Sequence, residues 1–106
     1  MKYQKPLVSI IMNSHNGDQY LSQSINSILK QTYKNWELIF WDNRSTDSSA
    51  KILKKYIDKR ICYYKSNNFL SLYHARNLAI NKARGKYICF LDVDDYWVKD
   101  KLKKQI

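Results

Sequence analysis

Cysteine is scarce in this 106-residue chain, and its two cysteines show no metal-ligand spacing. Cys62 and Cys89 each fall inside an apolar run, which argues against a zinc site and for small buried thiols in a reducing compartment. Glutamate is scarcer still, with Glu37 the one example. At the N-terminus the apolar stretch Leu7 to Met12 is broken by Ser9, too short for a signal-peptide core or a membrane span. A cytoplasmic protein is therefore expected, one that can touch the inner membrane surface peripherally. There is no repeat, low-complexity tract or linker, so residues 1–106 are expected to form one domain.

What is abundant is positive charge. Nineteen Lys and Arg against nine Asp and Glu give a formal +10, which favours anionic partners such as nucleotides, phospholipid surfaces or nucleic acid. The excess is spread along the chain. Lys51, Lys54, Lys55 and Lys59 follow one expected helix and Lys99, Lys101, Lys103 and Lys104 crowd the last segment, a pattern that usually marks a solvated face.

Leu7 to Met12 and Trp36 to Trp41 read as strands buried on two faces. Between them Leu21, Ile25, Ile28 and Leu29 recur at helical spacing. A second helix is expected over 47–57, with Ala50, Leu53 and Ile57 on its buried stripe and Ser45 or Thr46 as N-cap. Arg60 to Lys65 makes a short third strand. A third helix is expected over 71–84, packing through Ala75, Ala79 and Ala83, with Gly85 as its left-handed C′ residue. Tyr87 to Leu91 reads as a buried fourth strand. Trp36, Phe40 and Trp41 fit the core and the sheet edge better than a sugar platform. Strands alternating with helices predict an α/β fold, a Rossmann-like parallel sheet of about four strands flanked by helices.

In such sheets ligands bind beyond the carboxyl ends of the strands. Asn13-Ser14-His15-Asn16, Asp42-Asn43-Arg44-Ser45 and Asp92-Val93-Asp94-Asp95 occupy three of those ends. The three carboxylates of the last repel one another, so a positive group is expected nearby. They supply the hard oxygens that suit Mg²⁺ or Mn²⁺, ions commonly held by one or two carboxylates with substrate phosphates. The competing reading is that these acids cap a helix beginning near Trp97.

Together with Gln31-Thr32-Tyr33 and Ala75-Arg76-Asn77, these segments resemble, in order and spacing, the nucleotide-sugar-binding half of family 2 glycosyltransferases of the GT-A fold. The resemblance implies metal-dependent binding of a nucleotide-diphosphate sugar, a UDP-sugar foremost, for inverting transfer to a saccharide or lipid-linked acceptor. It implies that Ser14 and His15 border the nucleobase, with His15 in the place of a stacking tyrosine, and that Asn16 belongs to the same nucleotide-sugar site. Asp42 would accept a uracil imide hydrogen, Arg76 would approach base or diphosphate, Asp92 would lie near ribose or sugar, and Asp94, supported by Asp95, would hold Mn²⁺ or Mg²⁺. Outside the resemblance, Asp42 is equally a turn residue, Arg76 an ion-pair partner on a helix surface and His15 a loop residue.

Two departures stand out. Asn13 replaces a proline, loosening the first turn, and Asn43 replaces a second aspartate beside the base. The resemblance also places the general base and the acceptor region beyond the acidic motif, so a donor-binding part without its acceptor half is expected. That part should expose a sheet edge able to pair two copies. Two other classes remain: a non-catalytic nucleotide-binding module acting with a partner chain, and a Toprim-like metal-dependent nucleic-acid enzyme. The second calls for a glutamate after the first strand, where this chain has none, so no nucleic-acid partner is expected.

Overall fold

The computed structural model describes residues 5–105; residues 1–4 and 106 of the expected domain lie outside them. Four parallel strands, β1 (Val8–Ser14), β2 (Trp36–Asp42), β3 (Ile61–Lys65) and β4 (Tyr87–Phe90), stand in the order β3-β2-β1-β4. Helices α1 (Asp18–Leu29), α2 (Ser49–Leu53) and α3 (Leu72–Ile80) connect them, and α4 (Lys101–Gln105) follows.

The strand alternation sorts the core into two layers. Val8, Ile10 and Met12 of β1 and Trp36, Leu38 and Phe40 of β2 face Leu21, Ile25 and Ile28 of α1, together with Leu53, Trp97 and Leu102. Ile11, Ile39 and Trp41 face the other way, onto Ala75 and Ala79 of α3, whose small side chains let the helix approach closely. The three aromatics of β2 are therefore core residues on opposite faces, not one cluster. Strand order reverses between β1 and β4, because the chain walks outward from β1 to β3 and returns through α3 to the far side of β1.

Several expected elements are corrected. The second helix is only Ser49–Leu53 with Ser48 at its N-cap, not a helix over 47–57 capped by Ser45 or Thr46. Asp47 Oδ1 accepts from the Ser49 N–H (2.9 Å) and Asp18 Oδ2 from the Ser48 N–H (3.1 Å), so two carboxylates fix the start. Its last turn tightens at Lys55 and Tyr56, whose N–H groups bond three residues back, and Ile57 leaves the buried stripe to stand 99% exposed. Helix α3 ends at Ile80, with Ser71 as N-cap accepting from His74 N–H. Gly85 is not left-handed. It is needed for a close approach: a Cβ there would lie 2.6 Å from the Ser9 nitrogen and 2.9 Å from the Leu7 carbonyl oxygen.

Strand β4 is not buried on both sides: among the described residues β1 is its one neighbour, which leaves the exposed sheet edge expected of a donor-binding part, and Tyr87, Ile88 and Phe90 are nearly half exposed. No helix begins near Trp97, so the acidic residues do not cap one. Trp97 instead sits in the core, and Gln31, fully buried, donates to the Val98 carbonyl (2.7 Å) and accepts from the Leu102 N–H (3.1 Å). That clasp is what Gln31-Thr32-Tyr33 does here, with Thr32 Oγ1 donating to Asp100 (2.8 Å) and the Tyr33 hydroxyl donating to the Pro6 carbonyl. Both cysteines are free and half-buried, and burial raises their thiol pKa values, which keeps them protonated. No helix among the described residues is long and apolar enough to cross a membrane.

Candidate functional site

The carboxyl ends of β1 and β2 are stitched into one rim. Asn16 adopts a left-handed backbone (φ 54°), which asparagine tolerates better than most residues. In that conformation its N–H donates to Ser45 Oγ (2.9 Å) while its Oδ1 accepts from the Thr46 N–H (2.8 Å). His15 Nδ1 lies 2.7 Å from the Asn43 carbonyl, so that nitrogen carries the proton and Nε2 is left to accept, here from Asn16 Nδ2 at 3.3 Å. The exposed imidazole meets Phe69 edge to face, with centroids 4.7 Å apart. Beneath it Ser14 is buried, and its Oγ has no partner among the described residues.

Asp42 is 1% exposed and already engaged at both oxygens. Oδ1 accepts from the Ser45 N–H (2.8 Å), and Oδ2 from the Tyr63 hydroxyl (2.6 Å). Burial, and then the bond to Asp42, push the Tyr63 pKa far up, so the phenol remains a donor at physiological pH. Each carboxylate oxygen keeps a second lone pair, but at this burial a ligand N–H reaches it only where the surrounding side chains shift. Asn43 is committed elsewhere: its amide donates to the Leu70 carbonyl (2.8 Å) and accepts from the Leu70 N–H (2.9 Å). An aspartate would set a carboxylate against that carbonyl oxygen, which gives the departure at this position a structural cause.

The acidic motif forms a turn beyond β4, closed by the Asp95 N–H donating to the Asp92 carbonyl (3.0 Å). It rests on the first loop, where a Cβ on Gly17 would lie 2.6 Å from Ser14 Oγ and 2.8 Å from Val93 Cγ1. Glycine there is what lets the two loops meet at the point of strand reversal. Arg76, Phe90, Leu91, Asp92, Asp95, Trp97 and Lys101 line a cleft of about 420 Å³, so positive groups share a cleft with two of the three carboxylates, and Asp94 does not line it. The Arg76 guanidinium lies 5.2 Å from the Phe90 ring centroid, and its buried Nε has no hydrogen-bond partner among the described residues. Asp92, Asp94 and Asp95 are exposed, and within the described residues Asp95 alone of the three accepts a hydrogen bond through its side chain, from the Tyr96 N–H.

Among the described residues no three acids, histidines or cysteines gather into a set that could hold a metal ion alone. The donor chemistry still fits a hard divalent ion held by one or two carboxylates, with phosphate oxygens filling the remaining positions.

A fourth strand end also reaches the rim. Lys65 at the end of β3 and Ser66 and Asn67 after it join Arg44, Ser45 and Thr46 around a second cleft of about 410 Å³. Ser66 Oγ accepts from Trp41 Nε1 (2.5 Å), and the Arg44 guanidinium donates to the Asn67 carbonyl. The polar run from Ser66 to Asn68, directly after a strand, was the signal for it. The remaining acids are occupied: Asp47 also accepts from the Asp18 N–H (3.0 Å), and Glu37 lies at the opposite end of the sheet.

A sequence profile described as "Glycosyl transferase family 2" matches residues 9–106. The chain is 44% identical over 106 residues to a putative teichuronic acid biosynthesis glycosyltransferase, TuaG, of Bacillus subtilis, covering 96% of this chain and 41% of the relative. It is 44% identical over 100 residues to an Escherichia coli UDP-Glc:alpha-D-GlcNAc-diphosphoundecaprenol beta-1,3-glucosyltransferase, WfgD, covering 94% and 40%. The chain thus spans about two fifths of the length of these curated relatives. Among solved structures it resembles S. aureus TarS in complex with UDP, with a TM-score of 0.87 and 29% identity over 92% of this chain and 30% of that one.

Proposed function

The chain belongs to glycosyl transferase family 2, and on that premise we propose that its rim binds the nucleotide-diphosphate end of a sugar donor, a UDP-sugar foremost. The observation that carries the reading is the meeting of the Ser14-His15-Asn16 loop and the Asp92 to Asp95 turn at the strand reversal, made close by Gly17. Such a crevice is where open α/β sheets receive ligands.

Ser14, His15 and Asn16 border the base, and Asp42 accepts an imide hydrogen through a spare lone pair. Asn43 acts through the loop it clasps. Arg76, with an unpartnered Nε in the acidic cleft, takes the diphosphate, and Asp92 orients ribose or sugar. Asp94 and Asp95 hold Mn²⁺ or Mg²⁺, which when bound supplies Lewis-acid stabilisation of the charge growing on the leaving diphosphate. Arg76 and Lys101 add fixed positive charge in the same cleft. The acceptor class is a saccharide, free or lipid-linked; the Escherichia coli relative is named for a diphosphoundecaprenol-linked sugar.

Calorimetric titration of UDP and CDP, each in Mn²⁺ and in chelator, tests the reading. Asp94→Asn is expected to weaken Mn²⁺-supported UDP binding at least tenfold, about 1.4 kcal/mol or more, while Asp42→Ala abolishes the preference for UDP over CDP. Equal UDP affinity with and without metal, in the parent chain and in Asp94→Asn, would refute the metal assignment.

A further inference from the structure

The charges of this chain are sorted by the topology. Asp18, Asp42, Asp47, Asp92, Asp94 and Asp95 lie at or next to the carboxyl ends of the strands. At the opposite end, where each strand begins and each connecting helix finishes, the three acids are internally committed: Asp100 accepts from Thr32 Oγ1 at 2.8 Å. Glu37 is buried on Ser9 and Arg84, and Asp58 is bonded to Arg60 at 2.7 Å. The cations there face water: Lys5, Lys34, Lys54, Lys55, Lys59 and Lys86 are all exposed. Their segments form one surface. The Lys34 carbonyl accepts from Arg60 Nη1 (3.0 Å), the Lys5 carbonyl from Asn35 Nδ2 (2.7 Å), and the Lys86 N–H donates to the Leu7 carbonyl (2.8 Å).

At the tip of that surface, between Lys55 and Lys59, stands Ile57 at 99% exposure. Its neighbour Tyr56 is pinned to α1 by its hydroxyl donating to Asn26 Oδ1 (3.1 Å), so the turn projects Ile57 from a fixed base. Lysines at helix C-termini are explained in part by the helix dipole. A fully exposed isoleucine among them is not.

We propose that the strand-start end of the molecule is a docking surface for an anionic phospholipid bilayer, with Ile57 entering the headgroup boundary and the surrounding lysines meeting acidic headgroups. An apolar tip ringed by cations suits such a surface, where each nearby Lys or Arg adds attraction that decays within a Debye length. Nucleic acid would use the lysines and leave Ile57 without a role. The inference does not depend on what the rim binds.

The test is sedimentation of the 106-residue chain with phosphatidylcholine vesicles containing either no or 40% phosphatidylglycerol, at 0.05 and 0.5 M NaCl. Binding is expected only with the acidic lipid, weakening at least tenfold at the higher salt. Lys54→Glu/Lys55→Glu/Lys59→Glu should abolish it, and Ile57→Ser should weaken it roughly three- to tenfold, with circular dichroism melting confirming that both variants fold. Ile57 is exposed and carries no packing, so its variant reads the docking role separately from stability. Equal binding to neutral vesicles, an Ile57→Ser chain that binds like the parent, or displacement from acidic vesicles by stoichiometric duplex DNA would overturn the proposal. Loss of nucleotide binding in the titrations above would leave this result unchanged, so the two readings fail separately.

Discussion

Glu37→Ala is expected to destabilise the fold by about 2–4 kcal/mol, read as a lowered urea midpoint and a melting temperature reduced by at least about 8 °C. The carboxylate is 3% exposed and receives the Ser9 hydroxyl (2.6 Å), the Arg84 N–H (2.7 Å) and the Arg84 guanidinium through Nε (3.2 Å) and Nη2 (3.1 Å). Removing it strands a fully buried hydroxyl and a part-buried N–H, at roughly 1–3 kcal/mol for each unsatisfied group. The guanidinium adds little, because the Arg84 side chain is 75% exposed and solvent screens its charge.

The same group makes stability depend on pH. Burial alone would raise the Glu37 pKa, but the hydrogen bonds from Ser9 and Arg84 and the Arg84 charge outweigh it and hold the folded-state value below 4.5. A depressed folded pKa means that the contribution is present above the unfolded value and is lost as pH falls through the folded one. Stability should therefore decline as pH is lowered from about 5. In Glu37→Gln that decline should be shallower, with Asp47 and Asp58, whose pKa values are also depressed, accounting for part of what is left. Denaturation midpoints at pH 7, 5, 4 and 3 check this, and parallel curves for parent and Glu37→Gln would exclude Glu37 as the source.

The second large effect concerns turnover. With Mn²⁺, a labelled UDP-sugar and a pool of free and lipid-linked saccharides, the 106-residue chain is expected to transfer sugar at least 10²-fold more slowly than a full-length family member assayed alongside. Loss of general-base help alone typically costs 10²–10⁴-fold. Every acid at the rim among the described residues either accepts a hydrogen bond or is one proposed above to serve donor and metal. Asp42, Asp47 and Asp18 accept hydrogen bonds from Tyr63, Ser49 and Ser48, and the proposal assigns Asp92, Asp94 and Asp95 to donor and metal. Asp100 is held by Thr32, and Glu37 lies at the strand-start end. Transfer at the rate of the longer enzyme would show that one of these carboxylates, or a second copy of the chain, supplies the base.

Strand identity and the polar character of the strand ends were legible because both follow from short-range pattern. Apolar runs mark strands buried on two faces, and in a parallel sheet every strand presents its carboxyl end to the same rim. What escaped depended on contacts between distant segments. Helical periodicity suggested that α2 reached Ile57, but Tyr56 bonding to α1 and the tightened turn at Lys55 ended it early. Gly85 looked like a helix C′ residue, whereas its smallness serves a strand 76 residues away, where its N–H donates to Ser9 Oγ. Asn43 looked like a lost charge and proved to be a two-way clasp on Leu70, a pairing 27 residues apart in the chain. The apolar run from Tyr87 to Leu91 suggested burial, but a strand with one neighbour keeps an open edge.

The placement of β1 governs how this protein can be made. It leaves the ribosome before the other three strands of the sheet, yet it occupies the interior: Val8 pairs with Trp36 on one side and with Tyr87 on the other. From the emergence of β2 until that of β4, the nascent chain carries Ile10 and Ile11 in a strand whose second edge has no partner. Gln31 meets Leu102 N–H across 71 residues, so the end of α1 is sealed only once α4 has emerged. Long-range closures of this kind slow folding and prolong exposure of a strand edge. A translational pause between β3 and β4 should therefore favour aggregation, and one placed after α4 should relieve it.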